Sequence, residues 1–374
     1  MDKIHPLLDK VKQLQAKRYE KEKRILRIAG LALSLIILLF FYFSGLSYWL
    51  AHIHVGNSII WTFLLYVVSF QTLVVVLTFP LAFYTSYSHE HKWNFSNHTV
   101  KSWLWERVKS LLVGLVIMII LLGLLFWIMA ISPQGWWLYA GLAMALVSVI
   151  FATLFPVVVF PIFNKYTPVQ NKELTDALEK ILLKAGLKSS GFFMEDMSRQ
   201  TKKENAFLAG LGKTRRVVLG DNLIENMSIP EIESIIAHEV GHYKYKHIWK
   251  SITVGTLQQL IIFFILNLVM TSTFPQFLSS TEWNLSLFPV FIILMGATAG
   301  FLFGPLSNAL SRFFERQADR ISLEMIKDKK AFMTAMAGLA SRNLINAYPE
   351  WWVKLLYYSH PTIAERLKMA EDFK

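Results

Sequence analysis

Ser228-Ile229-Pro230-Glu231, then His238-Glu239-Val240-Gly241-His242, then an apolar run from 251 to 273 without a single acid: this stretch decides the architecture. Ser228 and Glu231 make a capping box with proline in the first turn, so a helix begins here. On a helix, positions i and i+4 share a face. His238 and His242 can therefore hold one metal, with Glu239 beside it to take a proton from water. Nothing breaks the helical pattern until well past His247, which predicts one helix running on into a membrane span. A metal helix that feeds a bilayer implies peptide hydrolysis at, or inside, a membrane.

The rest of the chain agrees with a membrane setting. It is 54% hydrophobic, with a mean hydropathy of +0.41 and only 17% charged residues. Soluble domains carry about a quarter charged residues. Apolar runs of spanning length lie at 28–50, 58–87, 109–131, 136–160, 251–273 and 287–306. The net charge of +12 reads as topology and not as nucleic-acid binding, because Lys and Arg fall into alternate loops. Nine lie in the first 28 residues and Lys92, Lys101, Arg107 and Lys109 follow the second run, whereas 51–58, 132–135 and 274–286 have none. The expectation is a mostly α, polytopic protein of about six spans, with both termini and a small α+β peptidase domain on the cytoplasmic side. Cysteine is absent, so any zinc is held by imidazole and carboxylate. No signal peptide is evident.

Five regions follow: a basic segment 1–27, a four-span region 28–160, an α+β domain 161–250, two spans over 251–306 and C-terminal helices over 307–374. The first reads either as an interfacial helix or as a solvated leader. Asn164 to Pro168 reads as an exit loop. Residues 171–185 form an amphipathic helix stopped by Gly186. Strands are expected at Phe192–Glu195, Ala206–Ala209 and Arg215–Leu219, with Gly210-Leu-Gly212 turning between the last two. His89, His91 and His98 have no ordered ligand pattern and read as a solvated loop. Gln71, Gln258, Gln259 and Asn267 are expected to bridge helices or line a cavity, because a transporter would need paired ionisable groups at mid-span.

A third ligand emerges by elimination. The position where a metzincin carries histidine is Ile248, and His247 is off register. A thermolysin-like glutamate would fall in 251–273, which holds no acid. Glu282 lies in a loop on the opposite face. Glu315 follows the sixth span on the same face as His238, and Asp319 sits one turn later. Glu315 can ligate while Asp319 accepts the spare N–H of a ligand histidine. Taken alone, these acids read equally as a helix salt-bridged to Arg312, Arg316 and Arg320.

Three ordered motifs now stand together: His238-Glu-Val-Gly-His242, Ser311-Arg-x-x-Glu315-x-x-Ala-Asp319, and Tyr358-Ser-His360-Pro361 followed by Glu365-Arg366-Leu367. They resemble the type I CAAX prenyl endopeptidase family of integral-membrane zinc metallopeptidases. The likeness extends to Pro161-Ile-Phe-Asn-Lys-Tyr-Thr-Pro168 and Asn205-Ala206-Phe207, and covers residues 80–374. It implies that Asn205, Ala206 and Phe207 hold substrate backbone at an edge strand. It further implies that His360 and Arg366 steady the oxyanion or the catalytic carboxylates. Two departures stand out. Eukaryotic members have seven spans around a large water-filled chamber, against six counted here, and Trp93-Asn-Phe-Ser96 stands where a Gly-Phe-Asn sequence is frequent.

The resulting expectation is a metalloendopeptidase with one zinc per chain on His238, His242 and Glu315, Glu239 as general base, and Asp319, His360 and Arg366 in support. Its partners are the lipid bilayer and a peptide or membrane-protein substrate, with oligomeric state left open. The loop pattern reads as bacterial, which places it in the inner membrane and favours general endopeptidase action over CAAX-type processing. A non-catalytic zinc scaffold stands third, since a structural site has no use for Glu239.

Overall fold

A computed structural model describes residues 4–56, 58–210 and 216–374. Helix α1 (Lys10–Phe43), α2 (Ile59–Lys92), α3 (Val100–Ile131) and α4 (Trp136–Phe163) are each long and apolar enough to span a bilayer. A peptidase unit follows: β1 (Tyr166–Pro168), α5 (Lys172–Lys184), β2 (Phe192–Glu195), β3 (Ala206–Ala209), β4 (Arg216–Gly220) and α6 (Ile229–Lys244). Two further spans, α7 (His247–Thr273) and α8 (Phe288–Ile326), lead to α9 (Lys329–Arg342) and α10 (Ile363–Asp372).

The spans bury an aromatic seam of Phe41, Tyr66, Phe126, Trp136, Phe263 and Phe288. Leu112, Ile120, Leu146 and Phe301 point outward and are exposed, as lipid-facing side chains must be. Polar neutrals join the helices as expected. Trp136 Nε1 donates to Asn267 Oδ1 at 2.7 Å, and Gln258 Nε2 donates to Ser307 Oγ at 3.1 Å. Such bonds persist in lipid because no water competes for them.

The peptidase unit folds around a four-stranded sheet of order β1-β2-β4-β3, with β2 and β4 parallel and the outer pairs antiparallel. Leu178 and Ile181 of α5, Ile232, Ile236 and Val240 of α6, and Val217 and Leu219 of β4 share one core with α9 and α10. The capping box at Ser228 is present, and Gly186 terminates α5 with φ +68. The sheet leaves β3 at an edge beside α6, and this placement matters for the site.

Four expectations need correction. Tyr166–Pro168 is a strand and not a loop: it pairs with β2 from Tyr166↔Glu195 to Pro168↔Phe193, and as an edge strand it tolerates a proline that cannot donate. The metal helix does not run into the fifth span. It stops at Tyr245, Lys246 turns left-handed at φ 55, and α7 restarts at His247. The basic segment is no separate element, because Lys10–Phe43 is one helix. Its Gln13 side chain ties it to the far end of the chain, donating to Ile345 O and accepting from Ala347 N. Finally, His89 is buried, stacked on Tyr19 and bonded to Glu22 at 3.0 Å. Arg215 and the turn residue Gly212 lie outside the described residues.

Candidate active site

Helices α6 and α8 cross almost in contact, and glycine permits it. A Cβ on Gly241 would sit 2.7 Å from Ala318 Cα and 3.0 Å from Ala318 O, both backbone atoms that cannot step aside. The crossing brings one face of each helix together. His238, His242 and Glu315 place a ligand atom each within 4.8 Å of one another. Gly241→Ala is expected to force the helices apart, costing about 1–3 kcal/mol and weakening metal binding. Thermal unfolding and metal titration of the variant check this, and wild-type values in both would refute it.

His238 Nε2 lies 3.2 Å from Glu315 Oε2, and His242 Nε2 lies 3.3 Å from Glu315 Oε1. The two Nε2 atoms face each other at 3.1 Å. Two imidazole nitrogens aimed at one point beside a carboxylate form a cation's donor set. Two nitrogens and one oxygen suit zinc and leave a fourth position for substrate or water. Glu315 pairs with no arginine among the described residues. Arg312 instead donates to the carbonyls of Lys354 and Tyr358, and Arg320 pairs with Glu324.

Support for His238 comes from behind. Asp319, fully buried, accepts from His238 Nδ1 at 2.8 Å and from Arg366 Nε at 2.9 Å. A carboxylate can only accept, so Nδ1 carries a proton and Nε2 is turned to the metal position. Burial opposes charge on His238. Asp319 and Glu315 outweigh it and raise its pKa to about 9. Below that pH the metal-free ring holds a second proton, on Nε2, where a cation would bind. Metal binding must displace it. We therefore expect about one proton released per metal at pH 7 and an affinity that rises about tenfold per pH unit towards 9. Calorimetry in buffers of different ionisation enthalpy reads the count. Zero protons would refute the assignment.

Glu239 is half-buried in the wall of a cavity of about 1070 Å³ that also takes in His238, Asn205, Ala206 and His360. Its carboxyl is pushed above the usual carboxylate range by burial, against the pull of the His238 and His242 imidazoles. It makes no side-chain hydrogen bond among the described residues, so it is free to act on a substrate. His360 approaches Glu315 Oε1 at 3.3 Å with much of its side chain exposed. Arg366 is buried against Asp319 and steadies that carboxylate, while part of it lines the cavity beside His238. Phe207 is not brought to the site. Its ring packs edge-on to Phe160 at 5.6 Å, in a separate hollow. His247 is the residue that sequence spacing set aside. Its Nδ1 meets His242 Nδ1 at 3.0 Å, and its Nε2 meets Gln317 Oε1 at 3.0 Å.

The family model of Peptidase family M48 matches residues 168–374, the whole stretch that builds this centre. The chain belongs to peptidase family M48. Its N-terminal region, residues 2–165, matches the model described as CAAX prenyl protease N-terminal, five membrane helices, although four spanning helices lie there among the described residues. M48 relatives include Saccharomyces cerevisiae CAAX prenyl protease 1, 30% identical over 316 residues, 79% of this chain and 69% of that one. A Bacillus subtilis protein described as uncharacterized metalloprotease YhfN is 28% identical over 303 residues, 80% of this chain and 71% of that one. The crystal structure of S. mikatae Ste24p superposes with a TM-score of 0.85, covering 99% of this chain and 91% of that one at 23% identity, a likeness of fold. This M48 protein is thus an integral-membrane metalloprotease whose predicted ligands converge on one point.

Proposed function

We propose that the protein is a zinc-dependent endopeptidase of a bacterial cytoplasmic membrane, with its site facing the cytoplasm, that cuts peptides or membrane-protein segments. One observation carries this reading: Glu239, His238 and the start of edge strand β3 line the same cavity. His238, His242 and Glu315 would hold the zinc, which when bound polarises the scissile carbonyl and acidifies the attacking water. Glu239 takes the proton from that water and hands it to the leaving amine. Asn205, Ala206 and Phe207 offer main-chain groups along an unpaired edge, where an extended substrate adds as a further strand. Side chains of the strand need not contribute, which accommodates Phe207 packing elsewhere. His360, half-turned to the cavity, is placed to donate to the oxyanion. The cytoplasmic orientation is supported by the basic half of α1 and by Lys92, Lys101, Arg107 and Lys109 on the helix ends that flank the α2–α3 connection.

A second reading, CAAX-type release of a C-terminal peptide, is favoured by the far end of the same cavity. Arg27 and Arg107 line it without an ion pair among the described residues, with Lys23, which feels the charge of Glu90, and with Leu31 and Leu81 of the spans. Cleavage of fluorogenic peptides by purified protein, with mass spectrometry of the products, decides between them. The endopeptidase reading expects chelator-sensitive internal cuts that ignore amidation of the peptide's C-terminus. The CAAX-type reading expects amidation to lower kcat/KM by about tenfold or more, the loss of one desolvated charge pair. Turnover that survives the chelator overturns both.

A further inference from the structure

We propose that Gln317 and His247 act as a positioning relay that fixes the tautomer of His242, doing for that ligand what Asp319 does for His238. The inference rests on reading His238, His242 and Glu315 as metal ligands. Protons can be counted along two rings and one amide. Gln317 Oε1 lies 3.0 Å from His247 Nε2, and an amide oxygen only accepts, so His247 carries its proton on Nε2. Its other nitrogen, Nδ1, is then a bare acceptor. It faces His242 Nδ1 at 3.0 Å, a contact that needs one proton between the two nitrogens. That proton belongs to His242, whose Nε2 is left with a free lone pair aimed at Glu315 and His238.

Packing makes the relay rigid. His247 is buried and stacks on Phe314 with centroids 4.3 Å apart and planes at 14°. The left-handed turn at Lys246 is what swings His247 back onto this face, because a continuous helix would carry it off the His242 side. Gln317 lies two residues beyond Glu315 and two before Asp319, so α8 presents the ligand and the supports of both histidines within five residues. Reversing the Gln317 amide would reverse every donor in the relay and put a hydrogen on His242 Nε2. The orientation of one amide therefore decides whether His242 can ligate.

The test is zinc affinity by chelator competition, in the full-length protein in detergent and without substrate. Gln317→Met keeps the volume and removes the acceptor. His247→Phe keeps the stack on Phe314 and removes the nitrogens. Each is expected to weaken zinc binding about tenfold to a hundredfold, and the double variant to be no weaker than the worse single one, as for links of one chain. Gln317→Glu, which can only accept, should bind at least as tightly as wild type. Thermal unfolding of the metal-free variants separates packing damage from lost orientation. Single variants within twofold of wild type, losses that multiply in the double variant, or a Gln317→Glu as weak as Gln317→Met would each overturn the relay. Wild-type protein that takes up no zinc would overturn the metal site and the relay with it.

Discussion

Glu239→Gln is expected to lower kcat by about 10²–10⁴-fold with metal content unchanged. Glutamine fills the same volume but cannot accept a proton, and Glu239 is not among the three converging ligands, so the site should load normally. The effect should fall on kcat and kcat/KM together, because the interaction is made only as the reaction proceeds. Steady-state kinetics with metal analysis of the same preparation reads both. Substantial residual turnover would sink the base assignment, whereas loss of metal would make Glu239 a structural member of the site.

Asp319→Ala should do a different kind of damage. It removes the acceptor of His238 Nδ1 and strands the Arg366 guanidinium, itself only 9% exposed, without its partner. An uncompensated buried charge costs about 3–5 kcal/mol, and a freed ligand ring costs about 10–100-fold in metal affinity. Both losses are expected together: a lower unfolding midpoint without metal, and weaker zinc in chelator competition. A stability loss with normal affinity would mean that His238 is oriented by something other than Asp319. The contrast with Glu239→Gln is diagnostic, since one variant is loaded and inactive and the other fails to load.

Much of this was legible in residue order. The six spans follow from composition and run length, and the candidate third ligand from the scarcity of acids after His242. Placing Glu315 needed only the rule that two crossings return the chain to one face. What escaped has identifiable causes. The stop at Lys246 uses a left-handed lysine, with neither glycine nor proline to announce it. His247 falls one residue short of the metzincin histidine position and is set aside on that ground, and the hidden stop conceals its contact with His242. Strand β1 was masked by Pro168, and the burial of His89 by partners from α1 far away in sequence. The cavity has no local signature, as it draws on α1, α2, α3, α6, α9, the start of β3 and the turn before α10.

The two halves of the candidate metal site lie on either side of α7 and the first part of α8, with Arg366 later still. During synthesis His238 and His242 emerge first and wait. Their carboxylate arrives only after two more segments have entered the bilayer, and the support of Asp319 only once α10 docks. A protease whose candidate ligands come together only across two spans cannot assemble its centre before both spans are in place.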